Sequence, residues 1–250
     1  MPELTQIDSA QWIWAGAAAF CVGMGKAGFS GIGVLAIILM AMILPAKEST
    51  GVILPMLIFA DIFAVLLYRK HAILSHVWRL IPPAFIGILC GFWLMPKIPA
   101  AVFGPFIGWV TLIISVLFLI QKLTGRLEKI AASHPAIAWP TGWLAGVTTM
   151  LSNAAGPIMT VYLLACRLKK FEFVGTGAWY FFTLNVVKVP FSANLGLITG
   201  TTLLFNACLA PCILLGLGLA RFLLGKIPQT PFEYLMVSFS ILAALRLIFA

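Results

Sequence analysis

The sequence predicts an all-α integral membrane protein made of two inverted repeats, each a broken, re-entrant helical hairpin followed by three transmembrane helices. Three observations carry that prediction. Composition is the first: 62% of the 250 residues are hydrophobic and 9% are charged, where a soluble domain carries about 25% charged residues. The mean hydropathy is +1.09. The second is a series of apolar runs, six continuous and two interrupted by small and polar residues. The third is internal repetition at a nearly constant offset.

A spanning helix needs about 20 apolar residues. The first run, 12–44, is broken at 23–33, "GMGKAGFSGIG", so that neither half is long enough to cross. Three continuous runs follow at 49–68, 77–95 and 101–121. Residues 122–136, "KLTGRLEKIAASHPA", are polar and read as a cytosolic linker. The run 137–168 is then broken at "TTMLSNAAGP", and three more continuous runs occupy 172–192, 198–224 and 230–249. The chain thus divides into an N-terminal transmembrane repeat (1–121), the linker (122–136) and a C-terminal transmembrane repeat (137–250).

Charge decides between a discontinuous crossing and a hairpin at each break. If each broken run crosses once, the loop cations split six against seven and give no orientation. If each dips in and returns, eleven cations share one side against Lys47, Lys97 and Arg246. Cytoplasmic loops concentrate Lys and Arg, so the hairpins are favoured and both termini are expected outside. Trp12, Trp14, Trp78, Trp139, Trp143 and Trp179 mostly fall near segment ends, where amphipathic rings anchor at the interface.

Repetition supports the same arrangement. "KIPAAVF" at 97–103 returns as "KIPQTPF" at 226–232, and at that offset Pro82 matches Pro211 and Gly87 matches Gly216. At a slightly shorter offset Glu48, Gly51 and Asp61 fall on Glu172, Gly175 and Asn185; Gly23, Ser30 and Gly33 fall on Gly146, Asn153 and Gly156. A hairpin plus three crossings is an odd number of passages, so the two copies are inserted upside down. Inverted repeats with broken helices at the midplane are a transporter signature.

The breaks are where chemistry is expected. Read literally, Gly23-x-Gly25-x-x-Gly28 matches a dinucleotide fingerprint, but no strand precedes it and no βαβ unit fits this chain. A better reading concerns the helices that restart after each break. Ser30 and Asn153 are good N-cap residues, and Pro157 suits a first helical turn. Helix N-termini bind anions through free N–H groups and a positive dipole end, and small residues let a ligand approach the backbone. Candidate substrate-binding residues are therefore Gly25, Lys26, Gly28, Ser30 and Gly31 at the first break, and Ser152, Asn153, Ala154 and Gly156 at the second. The neutral donors Thr148, Thr149 and Asn185 add to them, although hydroxyls in membrane helices also bond back to their own backbone.

Three charges fall within apolar segments: Lys26, Lys188 and Asp61. Ionisable groups there face a cavity or a partner. Lys26 or Lys188 can meet the negative charge of a substrate while Asp61 serves as a coupling group; the alternative is a structural ion pair between Asp61 and a lysine. Asn185, at the repeat position of Asp61, can only hydrogen-bond.

Other function classes fit poorly. The net charge of +9 is spread over short loops rather than one face, so no nucleic-acid partner is expected; the partners are a small anion and the lipid bilayer, and homo-oligomerisation stays open. The first eleven residues contain Glu3 and Asp8 and no cation, so no cleavable signal is expected. Cys21, Cys90, Cys166, Cys208 and Cys212 form no C-x-x-C, and His71, His76 and His134 fall in loops, which argues against a disulfide framework or a zinc site. A membrane enzyme or cofactor scaffold would need a His ladder, a carboxylate pair or a Cys cluster at depth, so no cofactor is called for. A carboxylate and a sulfur oxyanion look alike to a helix terminus, which leaves another small anion as the alternative cargo.

With "GMGKAGFSGIG" and "SNAAGPIMTVYLL" in duplicated halves, and the recurring "KIP" before the last run of each half, the chain resembles the sulfite exporter TauE/SafE family, also called the four-toluene sulfonate uptake permease family. The resemblance spans nearly the whole chain. It implies ion- or proton-coupled transport of sulfite, thiosulfate or a small organosulfonate such as sulfoacetate across a bacterial inner membrane. Lys26, Phe29 and Ile32 interrupt the glycine run usual after the family's first break, and the second break reads Asn-Ala-Ala-Gly-Pro, which leaves the substrate open.

Overall fold

The computed structural model describes residues 8–97, nine positions between 105 and 120, and residues 135–249. The described residues form nine α-helices, one 3-10 turn and no strand. In order they are α1 (Ser9–Lys26), α2 (Ser30–Ala41), α3 (Ala46–Tyr68), the turn Arg69–His71, α4 (Leu74–Leu94), α5 (Pro135–Ser152), α6 (Gly156–Ala165), α7 (Lys170–Asn194), α8 (Gly200–Lys226) and α9 (Gln229–Phe249). Most of the expected crossing at 101–121 and most of the linker lie outside the described residues. Pro135 and Ala136, assigned to the linker from sequence, are the first residues of α5.

Local chemistry sets the helix starts. At α1 the Asp8 carboxylate accepts from Gln11 N at 2.7 Å and the Gln11 side chain accepts from Asp8 N at 3.0 Å, a reciprocal capping box. Thr199 and Thr202 do the same for α8. Glu172 reaches back to Lys169 N at 2.9 Å at the start of α7. Pro55, Pro82, Pro83, Pro140, Pro190 and Pro211 all lie inside helices, as neighbouring helices in a membrane bundle permit.

Glu48–His71, Leu74–Leu94 and Gly200–Lys226 are long and apolar enough to cross a membrane by length and composition. α7 and α9 have the length, at 25 and 21 residues, and α7 is diluted by Asn185 and Lys188. On α8, Leu204 and Leu215 are 70% and 68% exposed. Leu203, Leu214, Leu219 and Phe222 lie open beside them, an apolar surface suited to lipid rather than water.

Glycines fix how the helices pair. A methyl at Gly23 (α1) would overlap the Ile213 carbonyl of α8, and one at Gly216 (α8) would overlap the Phe20 carbonyl of α1. α4 and α5 meet in the same way, with Gly87 against the Trp143 carbonyl and Gly146 against that of Ala84. Both pairs run parallel: the Trp12 and Phe205 rings pack at a tilt, 5.0 Å apart, at the start of α1 and α8, and Gly142 faces Leu80 while Gly91 faces Met150. By contrast α3 and α7 run antiparallel. Gly51, near the start of α3, lies on Leu197 beyond the end of α7, and Gly175, near the start of α7, lies on Tyr68 and Ala72 at the end of α3. Close approach through small residues is the usual glue of membrane helices.

The two breaks are sharper than their glycine content suggests. Each is three residues long, 27–29 and 153–155, so Gly23, Gly25, Gly31 and Gly33 are helical. α1 ends in a Schellman arrangement: Gly28 takes φ +128, and Phe29 N donates to the Met24 carbonyl at 3.2 Å. Only glycine adopts that φ without strain. α2 then folds back along α1, and a methyl on Gly25 would come within 3.0 Å of Gly33 Cα. At the second break Asn153 takes φ +56, a left-handed conformation that asparagine tolerates. Pro157 stands in the first turn of α6, as expected.

Candidate functional site

Both breaks open onto one cavity of about 70 Å³, room for roughly five waters or one small polyatomic ion by the space a single water needs. Its walls come from the end of α1 (Gly25, Lys26), the start of α2 (Gly33, Val34), the second break and α6 (Asn153, Gly156, Thr160), and α7 (Gly177, Phe181, Asn185). Gly28 also borders it. The first N–H groups of a helix have no partner within the helix, and both half-helices α2 and α6 begin at this cavity.

A chain of buried polar contacts runs beside it. Lys26 Nζ pairs with Asp61 Oδ1 at 2.8 Å and lies 4.6 Å from the Phe181 ring centre. Asn185 Nδ2 donates to Asp61 Oδ2 at 2.6 Å. Lys188 Nζ donates to Thr149 Oγ1 at 3.1 Å, to Asn185 Oδ1 at 3.4 Å and to Asn153 Oδ1. Asn153 Nδ2 closes the chain on the Thr50 carbonyl of α3 at 3.0 Å. Asp61 is fully buried and Lys188 is 2% exposed, whereas Lys26 keeps 10% of its side chain accessible. The ion pair is therefore sealed on its acidic side and open to the cavity on its basic side.

Of the residues singled out from sequence, Gly25, Lys26, Gly28, Thr149, Asn153, Gly156 and Asn185 wall the cavity. Others do not. Lys188 stands behind Thr149, Asn153 and Asn185, which take up its donors before they reach the open space. Ala154 is buried against Val34 and Ala243. Ser152 spends its hydroxyl on the Thr148 carbonyl at 3.2 Å, and Thr148 does likewise on Ala145 at 3.1 Å. The side chain of Ser30 and the surroundings of Gly31 lie outside the described residues.

The capping roles expected for Ser30 and Asn153 are corrected. Phe29 and Ala155 occupy the N-cap positions, and neither half-helix has a side-chain cap. Asn153 instead ends α5 and spends both ends of its amide on Lys188 and Thr50, because a left-handed residue points its side chain away from the following helix start. At α2 the Ile32 N–H bonds the Phe29 carbonyl at 2.8 Å, and no side chain competes for the remaining first-turn donors of either half-helix.

Gly177, Phe181 and Thr160 were missed from sequence. The first two share a helical stripe with Asn185, at four-residue spacing, and reading backward along α7 from Asn185 finds them. Thr160 donates its own proton to the Gly156 carbonyl at 2.9 Å, and nothing in the sequence separates it from other helical hydroxyls.

A family model described as sulfite exporter TauE/SafE matches residues 15–247. No curated protein and no solved structure matches the chain.

Proposed function

The chain belongs to the sulfite exporter TauE/SafE family, membrane transporters of sulfur anions, and on that premise we propose that it is a secondary transporter of a small sulfur oxyanion or organosulfonate. The cargo sits in the cavity between the two helix breaks and is moved by alternating access. One observation carries this reading: a small cavity walled at once by Lys26 and by the starts of α2 and α6. Preorganised amide donors and one ammonium at a low-dielectric site suit a compact anion, and a single lysine is enough when the backbone supplies the rest.

Inverted repeats give the cavity its two-sidedness. The antiparallel α3 and α7, which share Glu48/Glu172, Gly51/Gly175 and Asp61/Asn185 at a constant offset, support that architecture, as do the reciprocal glycine contacts of α1 with α8 and α5 with α4. The repeat positions Asp61 and Asn185 hydrogen-bond to each other, which is where a pseudo-two-fold axis would pass. Arg69 and Lys70 follow the end of α3, and Lys169 and Lys170 stand at the start of α7, with Gly175 packed on the α3 end. Their shared end fits a cytoplasmic face, with both termini periplasmic in a bacterial inner membrane. Asp61, the single buried carboxylate among the described residues, is the coupling group. Its charged neighbours are Lys26 and Lys188, so an anion that engages Lys26 loosens Asp61 and readies it to take a proton.

Flux into proteoliposomes tests this, with sulfite, thiosulfate, sulfoacetate and a carboxylate such as acetate under an imposed proton gradient. Wild-type protein should move at least one sulfur anion above the empty-vesicle rate. Lys26→Gln, which keeps a donor for Asp61 and removes the charge, should lose that flux while eluting as folded protein. Asp61→Asn should flatten the dependence of flux on pH. Wild-type flux equal to that of empty vesicles for every anion defeats the proposal, and selective movement of acetate reassigns the cargo.

A further inference from the structure

The wall of the cavity between the breaks is poorer in free polar groups than its residue names suggest. Asn153 spends its amide on Lys188 and Thr50, and Asn185 spends its own on Lys188 and Asp61. Thr149 Oγ1 and Lys188 Nζ bond to each other at 3.1 Å, and the Thr160 hydroxyl donates to the Gly156 carbonyl at 2.9 Å. That leaves Lys26, with 10% of its side chain accessible, and the backbone N–H groups of the helix starts as the main donors. Hydrocarbon makes up most of the rest, and it lies on both sides of the Lys26 ammonium. Ile53, Leu57 and Asp61 follow at four-residue spacing on one face of α3, as Gly177, Phe181 and Asn185 do on α7; Ile53, Leu57, Gly177 and Phe181 all wall the cavity.

The antiparallel α3 and α7 meet at the Asp61–Asn185 contact, where Lys26 Nζ lies 2.8 Å from Asp61 and 4.6 Å from the Phe181 ring centre. Leu57 and Ile53, about 6 and 12 Å back along α3, therefore extend to one side of the ammonium. Phe181 and Val174, about 6 and 17 Å back along α7, extend to the other. Leu163 and Val174 draw that side in: a methyl at Gly177 would stand 3.7 Å from Leu163 Cδ1, and one at Gly28 3.0 Å from Val174 Cγ2. A tetrahedral ion such as sulfate turns oxygens in every direction and would press some of them on this hydrocarbon, losing hydration with nothing in exchange. A sulfonate gathers its oxygens at one end and presents carbon at the other. Space for about five waters takes the headgroup and a substituent of about three carbons. We propose that the site is shaped for a sulfonate whose sulfur carries a small, uncharged apolar substituent, with the oxygens at Lys26 and the carbon on the hydrocarbon that flanks it. This rests on the anion-site reading above and narrows it: inorganic oxyanions and sulfonates with a polar or charged end bind more weakly. Leu57, Val174 and Phe181 are then specificity-determining residues.

Calorimetric binding to the full-length protein in a neutral detergent, at fixed ionic strength and neutral pH, tests the match with 1-propanesulfonate, 2-hydroxyethanesulfonate, methanesulfonate and sulfate. The first two have the same size and charge and differ only in a terminal methyl against a hydroxyl. 1-Propanesulfonate should bind about tenfold more tightly than 2-hydroxyethanesulfonate, whose hydroxyl is buried without a partner. It should bind about fifteenfold more tightly than methanesulfonate, at about fourfold for each methylene, and more tightly than sulfate. Leu57→Asn and Val174→Thr each place a polar group of nearly the same size in the hydrocarbon, one on either side of Lys26, and at least one of them should narrow the gap between the methyl and hydroxyl probes. Wild-type binding of 2-hydroxyethanesulfonate or sulfate as tight as that of 1-propanesulfonate overturns the apolar match and leaves the anion site standing. A gap that both folded variants leave unmoved overturns it as well, and should neither variant fold, the wild-type comparison decides alone. Wild-type protein that binds none of the four anions overturns the anion site itself.

Discussion

Removing Asp61 altogether is the sharpest perturbation of this core. Asp61→Ala leaves the Lys26 ammonium, 2.8 Å from the lost oxygen, without its partner. It also leaves Asn185 Nδ2 without its 2.6 Å acceptor. Breaking a buried ion pair from one side costs about 3–5 kcal/mol, because the surviving charge stays desolvated. For a chain of this size about 1 kcal/mol corresponds to roughly 2–4 °C, so the apparent Tm in detergent should fall by about 6–20 °C. Replacing both partners with apolar side chains, Lys26→Met/Asp61→Leu, should recover all but about 1.5 kcal/mol, since well-packed hydrophobic residues commonly substitute for a buried pair without loss. That double variant should still transport nothing, because the cavity has lost its cation. Intrinsic tryptophan fluorescence during heating, at one protein concentration and detergent ratio, reads all three proteins. Asp61→Ala as stable as wild type, or a double variant no better than the single one, would refute the claim that the pair is sealed from water on its acidic side.

Two further substitutions probe the scaffold. Gly146→Val drives a side chain into the Ala84 carbonyl of α4 and should cost at least about 1–3 kcal/mol by overpacking; Gly218→Ala on the open face of α8, where nothing lies within 4 Å, should instead gain about 0.5–1 kcal/mol from backbone entropy, and the two thermal melts should move in opposite directions. Gly28→Ala places a Cβ 3.0 Å from Val174 Cγ2 at φ +128, a strain of about 1–3 kcal/mol at the turn between α1 and α2, so anion affinity measured by calorimetry should fall more than the melting temperature does.

Composition and hydrophobic runs settled a good deal before any coordinates. The helices at Ala46–Tyr68, Leu74–Leu94, Lys170–Asn194, Gly200–Lys226 and Gln229–Phe249 start and stop within a few residues of the apolar runs, because in lipid the backbone has no alternative to its own hydrogen bonds. The two interruptions were legible for the same reason: Gly28 and the Asn-Ala-Ala-Gly-Pro sequence are poor helix interior and good helix ends. Their lengths were not. Gly23, Gly25 and Gly33 read as loop by propensity, yet they are helical because close approach to α8 and to the neighbouring half-helix rewards a missing side chain more than the helix penalises it.

What depended on the third dimension is the polarity of the site. The sequence marked Lys26, Lys188, Asp61 and Asn185 as out of place in apolar segments, but it treated the two lysines as interchangeable and assigned Asn153 to a helix cap. Packing separates them. The antiparallel crossing of α3 and α7 brings Asp61 to Asn185 and so claims Lys26 as its ion-pair partner on the cavity side. The left-handed turn at residue 153 swings the Asn153 amide back onto Lys188 and seals that lysine away. A helical period fixes which residues share a stripe; which stripe faces the cavity is fixed only by how close neighbouring backbones come, and that distance is set by glycines far apart in the chain.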